Sequence, residues 1–336
     1  MKKYINNKLA LNIFLILMLV VFFNSYSFAV EKYPIQPVSI IIPFSPGGTT
    51  DMQARVIQPY LKKTLDAPVI TIENKPGANS IMGTIDFLQR KADGYTLFWE
   101  AGGIIFNKLL DENVNYEIED FVPVIGVASD PFTFFVRKDS PYNDIGELIE
   151  DARKRPNEIS LAYNDVRGLW TTTWLKKNLD MPVNLVGYPG GAPATAALIG
   201  GHVDFYMDAG LGRVPFRDKI RAIGVLSSGS KNWPEAMPLS ELDIVKKRNI
   251  SLPERQASAN NMVWVRREVK ENYPERYYRL VASFYEIAKD PEFNKKADDM
   301  GLSSTLVWWS PSEVEEVMAS TIKMYEAEPE LLKLLK

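Results

Sequence analysis

The chain has 336 residues, 39 basic and 42 acidic side chains, 46% hydrophobic residues, a single histidine and no cysteine. The missing thiols exclude thiolate zinc sites, iron–sulfur clusters, disulfides and cysteine nucleophiles, and His202 alone makes a multi-histidine metal centre impossible. No metal and no cofactor is called for, and an acidic chain without a basic run is a poor partner for nucleic acid.

Lys2, Lys3 and Lys8 flank an apolar run from Leu9 to Phe23, and Ser27-Phe28-Ala29 supplies the small residues that a signal peptidase reads. Residues 1–29 therefore read as an export signal cleaved near Ala29; the alternative is a retained membrane anchor, for which the run is short against a span of about 20 residues. Beyond them, short apolar stretches alternate with helical patterns, the signature of βαβ units around parallel sheets. Val38 to Pro43 reads as a buried strand. Ala54, Ile57, Tyr60, Leu61 and Leu65 share one face of a helix. A strand from Val69 to Ile72, a helix from about Ser80 to Arg90 and a strand from Tyr95 to Trp99 follow. Val122 to Val127 and Phe132 to Arg137 read as two strands joined at Asp130-Pro131, a crossing between domains.

The second half continues with a helix from Ile145 to Arg155, a strand from Ile159 to Tyr163, a helix from Trp170 to Leu179 and a strand from Val183 to Val186. An Ala-rich helix stopped by Gly200-Gly201 comes next, then strands from Val203 to Met207 and from Ala222 to Leu226. Residues 227–260 are polar and irregular. In the tail, Asp290-Pro291 and Ser310-Pro311-Ser312-Glu313 are helix starts, and Thr305 to Trp309 is a strand returning to the sheet, with Trp308 and Trp309 filling core. A helix over residues 275–290 carries Tyr278, Val281, Phe284, Tyr285 and Ala288 as its apolar stripe.

Two loops carry the chemistry. Pro43-Phe44-Ser45-Pro46-Gly47-Gly48-Thr49-Thr50-Asp51 joins a buried strand to a helix, so the first helical N–H groups are left open to an anion. Its glycines let a ligand reach the main chain, and Thr49 and Thr50 add hydroxyls. It has no P-loop lysine, and the chain has no G-x-G-x-x-G. Gly187-Tyr188-Pro189-Gly190-Gly191-Ala192-Pro193 is a second loop of the same kind. Facing each other across a cleft, the two would offer main-chain donors to one carboxylate from both sides, an arrangement suited to a dicarboxylate or an amino acid.

These loops resemble those of the Bug family, the periplasmic substrate-binding proteins of tripartite tricarboxylate transporters. The likeness extends through Glu73-Asn74-Lys75-Pro76-Gly77-Ala78, Asp93-Gly94-Tyr95-Thr96-Leu97, Phe121-Val122-Pro123-Val124, Leu198-Ile199-Gly200-Gly201-His202-Val203-Asp204 and Arg221-Ala222-Ile223-Gly224-Val225, all in the family's order. It implies an α/β, two-domain periplasmic binding protein of the type II, Venus-flytrap kind with its ligand cleft between the domains. Residues 30–128 and 258–336 would form one domain and 129–257 the other. It further implies capture of a small carboxylate (a di- or tricarboxylate, or a carboxylate-bearing amino acid) by a monomer that hands it to membrane permease subunits. The ligand-binding set carried over is Phe44, Ser45, Gly47, Gly48, Thr49, Asp51, Asn164, Arg167, Gly168, Tyr188, Gly190, Gly191, Ala192 and Asp208.

The second ligand loop, small and glycine-rich in the family, is here Asn164-Asp165-Val166-Arg167-Gly168-Leu169-Trp170. Arg167 either pairs with a distal carboxylate or sits in solvent, and Trp170 either walls the pocket or packs on Trp174. Asp51 either receives an ammonium, orients a water or favours its helix start. Asp208 lines the cleft or caps a turn. Glu100 facing the pocket would imply a positive group on the ligand; facing solvent, it implies nothing. Asn107 and Arg55 read as architectural. Two rival readings stand beside the transport receptor: a periplasmic hydrolase using Ser45 or Ser39 with His202, and a receptor that feeds a signalling partner.

Overall fold

The computed structural model describes residues 32–111, 113–253 and 258–335; the export-signal segment lies outside them. In chain order the elements are β1 (Val38–Ile42), α1 (Thr49–Leu65), β2 (Ile70–Asn74), α2 (Ile81–Gln89), β3 (Thr96–Glu100), α3 (Gly103–Leu110), β4 (Phe121–Arg137), α4 (Ile145–Lys154), β5 (Ser160–Tyr163), α5 (Val166–Asn178) and β6 (Asn184–Gly187). There follow α6 (Gly191–Ile199), β7 (Phe205–Ala209), β8 (Ile220–Val225), α7 (Asp243–Arg248), β9 (Ser258–Arg266), α8 (Arg267–Asn272), α9 (Pro274–Ala288), α10 (Pro291–Asp299), β10 (Leu306–Trp309), α11 (Pro311–Glu326) and α12 (Pro329–Leu335).

The strands run in the order β2-β1-β3-β9-β4-β7-β5-β6, with β8 and β10 also on β4. β1 pairs in parallel with β2 and β3, and β5 in parallel with β6 and β7, so each end of the sheet is a small βαβ set. β1 is almost wholly buried, as a strand covered on both faces must be. The helix over it, α1, buries Ala54, Ile57, Leu61 and Leu65 at helical spacing and ends where Asp66 turns left-handed.

β4 differs from the two strands read around Asp130-Pro131. It is one 17-residue strand that changes partners there: residues 121–131 pair with β9, and residues 132–137 with β7 and β8. The proline marks an exchange of neighbours, not a break. Asp130 is buried at this exchange, where it accepts the Leu211 N–H at 2.8 Å, and burial pushes its carboxyl up to about 7.

Three other sequence expectations are corrected. The irregular region 227–260 runs into β9, an antiparallel strand between β3 and β4, whose signal is the apolar run Met262 to Val265. α9 buries Tyr277, Leu280, Phe284 and Ile287, leaving Tyr278 61% exposed, so its apolar face lies one residue from the stripe read in sequence. β10 does return to the sheet on β4, but Trp308 and Trp309 are only half-buried: Trp308, at φ 50°, meets Phe293 edge-on, and Trp309 covers Gly126. The two helix caps form as read, Asp290 accepting from Glu292 and Phe293, and Ser310 with Glu313 closing a capping box.

Candidate functional site

The loop between β1 and α1 is fastened from below. Asp51 accepts the Gly47 N–H and Arg55 Nε at 2.9 Å each and Asn74 Nδ2 at 3.0 Å, and Asn74 also donates to the Phe44 carbonyl. Burial pushes the Asp51 carboxyl up, but the hydrogen bonds from Arg55, Gly47 and Asn74 outweigh it and hold the group below its ordinary range. Asp51 thus faces its own loop and takes up the Gly47 amide. Gly48 precedes α1 with no side-chain cap, so the first N–H groups of the helix have no intrahelical acceptor. The buried Thr49 hydroxyl has no partner.

The loop between β6 and α6 is braced differently. α6 also starts without a side-chain cap. Under it lies Arg213, wholly buried, which donates to the Gly191 carbonyl at 3.0 Å, to Asp208 at 2.7 Å and to the Tyr206 hydroxyl at 3.1 Å. Tyr206 in turn donates to Asp208 at 2.5 Å. Burial and the Asp208 charge push the Tyr206 hydroxyl well up. Asp208 therefore belongs to a buried charge pair, and it also borders the cleft. Arg213 went unread in the sequence, where its only signal is a lone cation directly after Ala209-Gly210-Leu211-Gly212.

The two loops meet. Ser45 Oγ donates to the Pro189 carbonyl at 3.1 Å, and a Cβ on Gly190 would lie 3.1 Å from Ser45. A Cβ on Gly47 would lie 3.7 Å from the Ala192 Cβ, and one on Gly48 would lie 3.8 Å from the Gly191 nitrogen. Behind this seam is an inner chamber of about 20 Å³ bordered by Gly48, Thr49, Thr50, Asp165, Arg167, Gly191 and Asp208. In front is an outer chamber of about 300 Å³ bordered by Tyr163, Tyr188 and the segment 77–80. Phe44 and Asn164 border both. Of the fourteen residues carried over from the family, Ser45, Gly47, Asp51, Gly168, Gly190 and Ala192 border neither chamber.

In the second loop, Asp165 caps α5 by accepting the Gly168 N–H at 2.8 Å, which occupies that amide. Arg167 is buried: it pairs with Asp165, donates to the Ser258 carbonyl at 3.2 Å and lies 5.7 Å over the Phe132 ring. Its Nε has no partner. Arg167 therefore borders the inner chamber and reaches neither solvent nor the outer chamber. Trp170 is core, stacked on Trp174 with centroids 6.5 Å apart and packed against Tyr325. Glu100 faces neither pocket nor solvent; it accepts the Gly103 N–H at 2.5 Å and Trp264 Nε1 at 3.2 Å, and burial pushes it up to about 7 although Arg167, Gly103, Gly102 and Trp264 pull it down.

A wall that sequence reading missed is the segment 77–80. Ala78, Asn79 and Ser80 have φ of 47°, 52° and 77°, each costing on the order of 1–3 kcal/mol unless the surroundings fix it. Asn107 fixes it, donating to the Asn79 carbonyl at 2.9 Å and to Ser80 Oγ at 3.2 Å. The run Gly77-Ala78-Asn79-Ser80, rich in turn formers ahead of an apolar helix, was the available signal.

His202 is exposed on the turn after α6, at the end away from Gly191, and the Asp204 carboxylate is taken by the Ser160 N–H and hydroxyl at 2.7 Å each. Ser45 bonds the Pro189 carbonyl and Ser39 bonds Thr96. Among the described residues no three His, Cys, Asp or Glu side chains are placed to hold a metal ion, and no helix is long and apolar enough to cross a membrane.

The family model described as "Tripartite tricarboxylate transporter family receptor" matches residues 53–252. The chain belongs to this family. It is 30% identical to Protein BugT of Bordetella pertussis over 221 residues, 63% of this chain and 67% of that one. It spans about half to two thirds of the other curated relatives it matches. Among solved structures, the periplasmic binding protein BugD superposes with a TM-score of 0.74 at 25% identity, covering 90% of this receptor and 97% of BugD. A Rhodopseudomonas palustris protein with adipate superposes with a TM-score of 0.77 at 22% identity, covering 90% and 98%. The receptor accordingly has the two-domain α/β fold of periplasmic binding proteins, with the cleft between the domains; BugD is described as a periplasmic binding protein, and the R. palustris neighbour holds adipate.

Proposed function

We propose that this receptor is exported, captures a small organic carboxylate by closing its two lobes, and delivers it to the permease of a tripartite transporter, with no covalent step. The lobes are residues 30–128 with 258–336, and residues 129–257; the partner exchange within β4 supports that division. The observation that carries the reading is the convergence of two uncapped helix starts, one per lobe, with Gly48 and Gly191 in near contact and an unpartnered Thr49 hydroxyl and Arg167 Nε beside them. Unpaired N–H groups, a free hydroxyl and a cation at one point suit an anion. Contacts from both lobes are complete only on closure, so binding favours the closed state. BugD's periplasmic setting and the adipate in the R. palustris neighbour support the location and the ligand class.

The test is thermal denaturation of the mature protein with a panel of organic acids, followed by calorimetric titration of any that act. A ligand at 100 times its Kd stabilises by about 2.7 kcal/mol, roughly 4 °C in a protein of this size. A panel that leaves the melting temperature unmoved overturns the reading. His202→Asn is expected to leave binding intact, whereas a hydrolase would lose turnover.

A further inference from the structure

The two chambers differ in charge, and that difference narrows the ligand; the inference rests on the carboxylate reading above. The inner chamber, about 20 Å³, has room for one water-sized group. Only the oxygen end of a carboxylate fits there, and the rest of the ligand must lie in the outer chamber. Among the described residues, the charged side chains at the cleft belong to the inner chamber, where Asp165 already pairs with Arg167 and Asp208 with Arg213. The outer chamber, about 300 Å³, is bordered by no charged side chain among the described residues. Instead it has three aromatic rings, Phe44, Tyr163 and Tyr188, with the amides of Asn79 and Asn164 and the Ser80 hydroxyl between them. With no cation beside them, a second carboxylate buried here would lack the partner that offsets its desolvation, whereas an uncharged ring packs well against aromatic side chains. An ammonium fares no better, because Glu100 is sealed behind Gly103 and Trp264.

We infer that the receptor's ligand is a monocarboxylate with an uncharged, ring-sized body, its carboxylate on the two helix starts and its ring among Phe44, Tyr163 and Tyr188. Hydroxyl or carbonyl substituents on that ring would meet the Asn79 and Asn164 amides.

Calorimetric titration of the mature protein with benzoate, 4-hydroxybenzoate and cyclohexanecarboxylate, against adipate, malate and aspartate, decides it. At least one ring acid is expected to bind tenfold or more tightly than any ligand charged at both ends. Tyr188→Ala, on a half-buried loop position, is expected to weaken that ring acid at least tenfold with an unchanged circular dichroism spectrum. Equal or tighter binding of adipate, malate or aspartate overturns the inference while the carboxylate reading stands, as does a Tyr188→Ala variant with unaltered affinity. If none of the six binds, both fall.

Discussion

The loop before α1 and the loop before α6, first and third of the three candidate loops in chain order, present the same backbone device, a glycine pair ahead of an uncapped helix, and hold it in opposite ways. The first is tied by Asp51, whose ion-pair partner Arg55 is half-exposed and whose other contacts lie within the loop and the next strand. The third rests on Arg213 and Asp208, a pair almost fully removed from water, set beyond α6. A shallow brace can be loosened with modest loss because water replaces the missing partner. A buried one cannot, since removing one member strands the other charge. The third loop is therefore expected to be the fragile half of the site. Arg213→Met should show the largest effect: about 3–5 kcal/mol of stability lost in urea denaturation, with carboxylate binding abolished. Adding Asp208→Asn to it should recover part of that loss. Loss from Arg213→Met below about 1 kcal/mol would mean that the pair does not hold the loop.

The same contrast can be read without mutation, through pH. Asp130 holds the N–H of Leu211, two residues from Arg213, and its carboxyl is raised from the ordinary range to about 7. A raised carboxyl stabilises fully below its unfolded value near 4, and that contribution disappears as pH rises through about 7. Glu100 acts in the same sense. Asp51, held low, contributes above the ordinary carboxylate range and loses its contribution as acid takes the pH below it. Alkali should thus weaken the third-loop side and strong acid the first. Urea unfolding is expected to give greater stability at pH 5 than at pH 8, by on the order of 2–4 kcal/mol. Asp130→Asn with Glu100→Gln should flatten most of that slope. A wild-type protein more stable at pH 8 would contradict the assignment.

The contrast also explains what could be read from the sequence. The βαβ order, both glycine loops, the Asp290 and Ser310 caps and the return of β10 are local matters of spacing and turn chemistry, and all of them form. Asp51 was visible as a site residue because it stands in the loop it serves, although its direction, toward Gly47 and Arg55, was not. Arg213 was invisible because it lies 22 residues from the carbonyl it holds. β9 was missed for a related reason: its polar start, Ser258 to Asn261, is buried only because β4 covers it. Glu100 was misjudged because solvent or pocket were the only destinations weighed, and it found a third, buried against Gly103 and the distant Trp264. Arg167 borders the inner chamber, but its pairing with Asp165 and the Ser258 carbonyl was not foreseen.

A pair of matched substitutions separates holding from binding at the smallest scale. A methyl on Gly191 would lie 2.8 Å from an Arg213 nitrogen and 2.9 Å from an Asp208 oxygen, groups with no room to withdraw. Gly191→Ala should therefore lose about 1–3 kcal/mol from overpacking. A methyl on Gly48 meets nothing nearer than 3.6 Å, and the residue has φ −78°, which any side chain accepts. Gly48→Ala should fold as well as the wild type or better by about 0.4–1 kcal/mol, because alanine narrows the unfolded ensemble. Yet that methyl projects toward the Gly191 nitrogen, between the two helix starts, so the stable variant should bind its carboxylate at least tenfold more weakly. Melting curves and calorimetric titrations of the two proteins, taken together, check this. Should Gly48→Ala bind normally, the amide groups at the first helix start would not be ligand donors, whatever the third loop does.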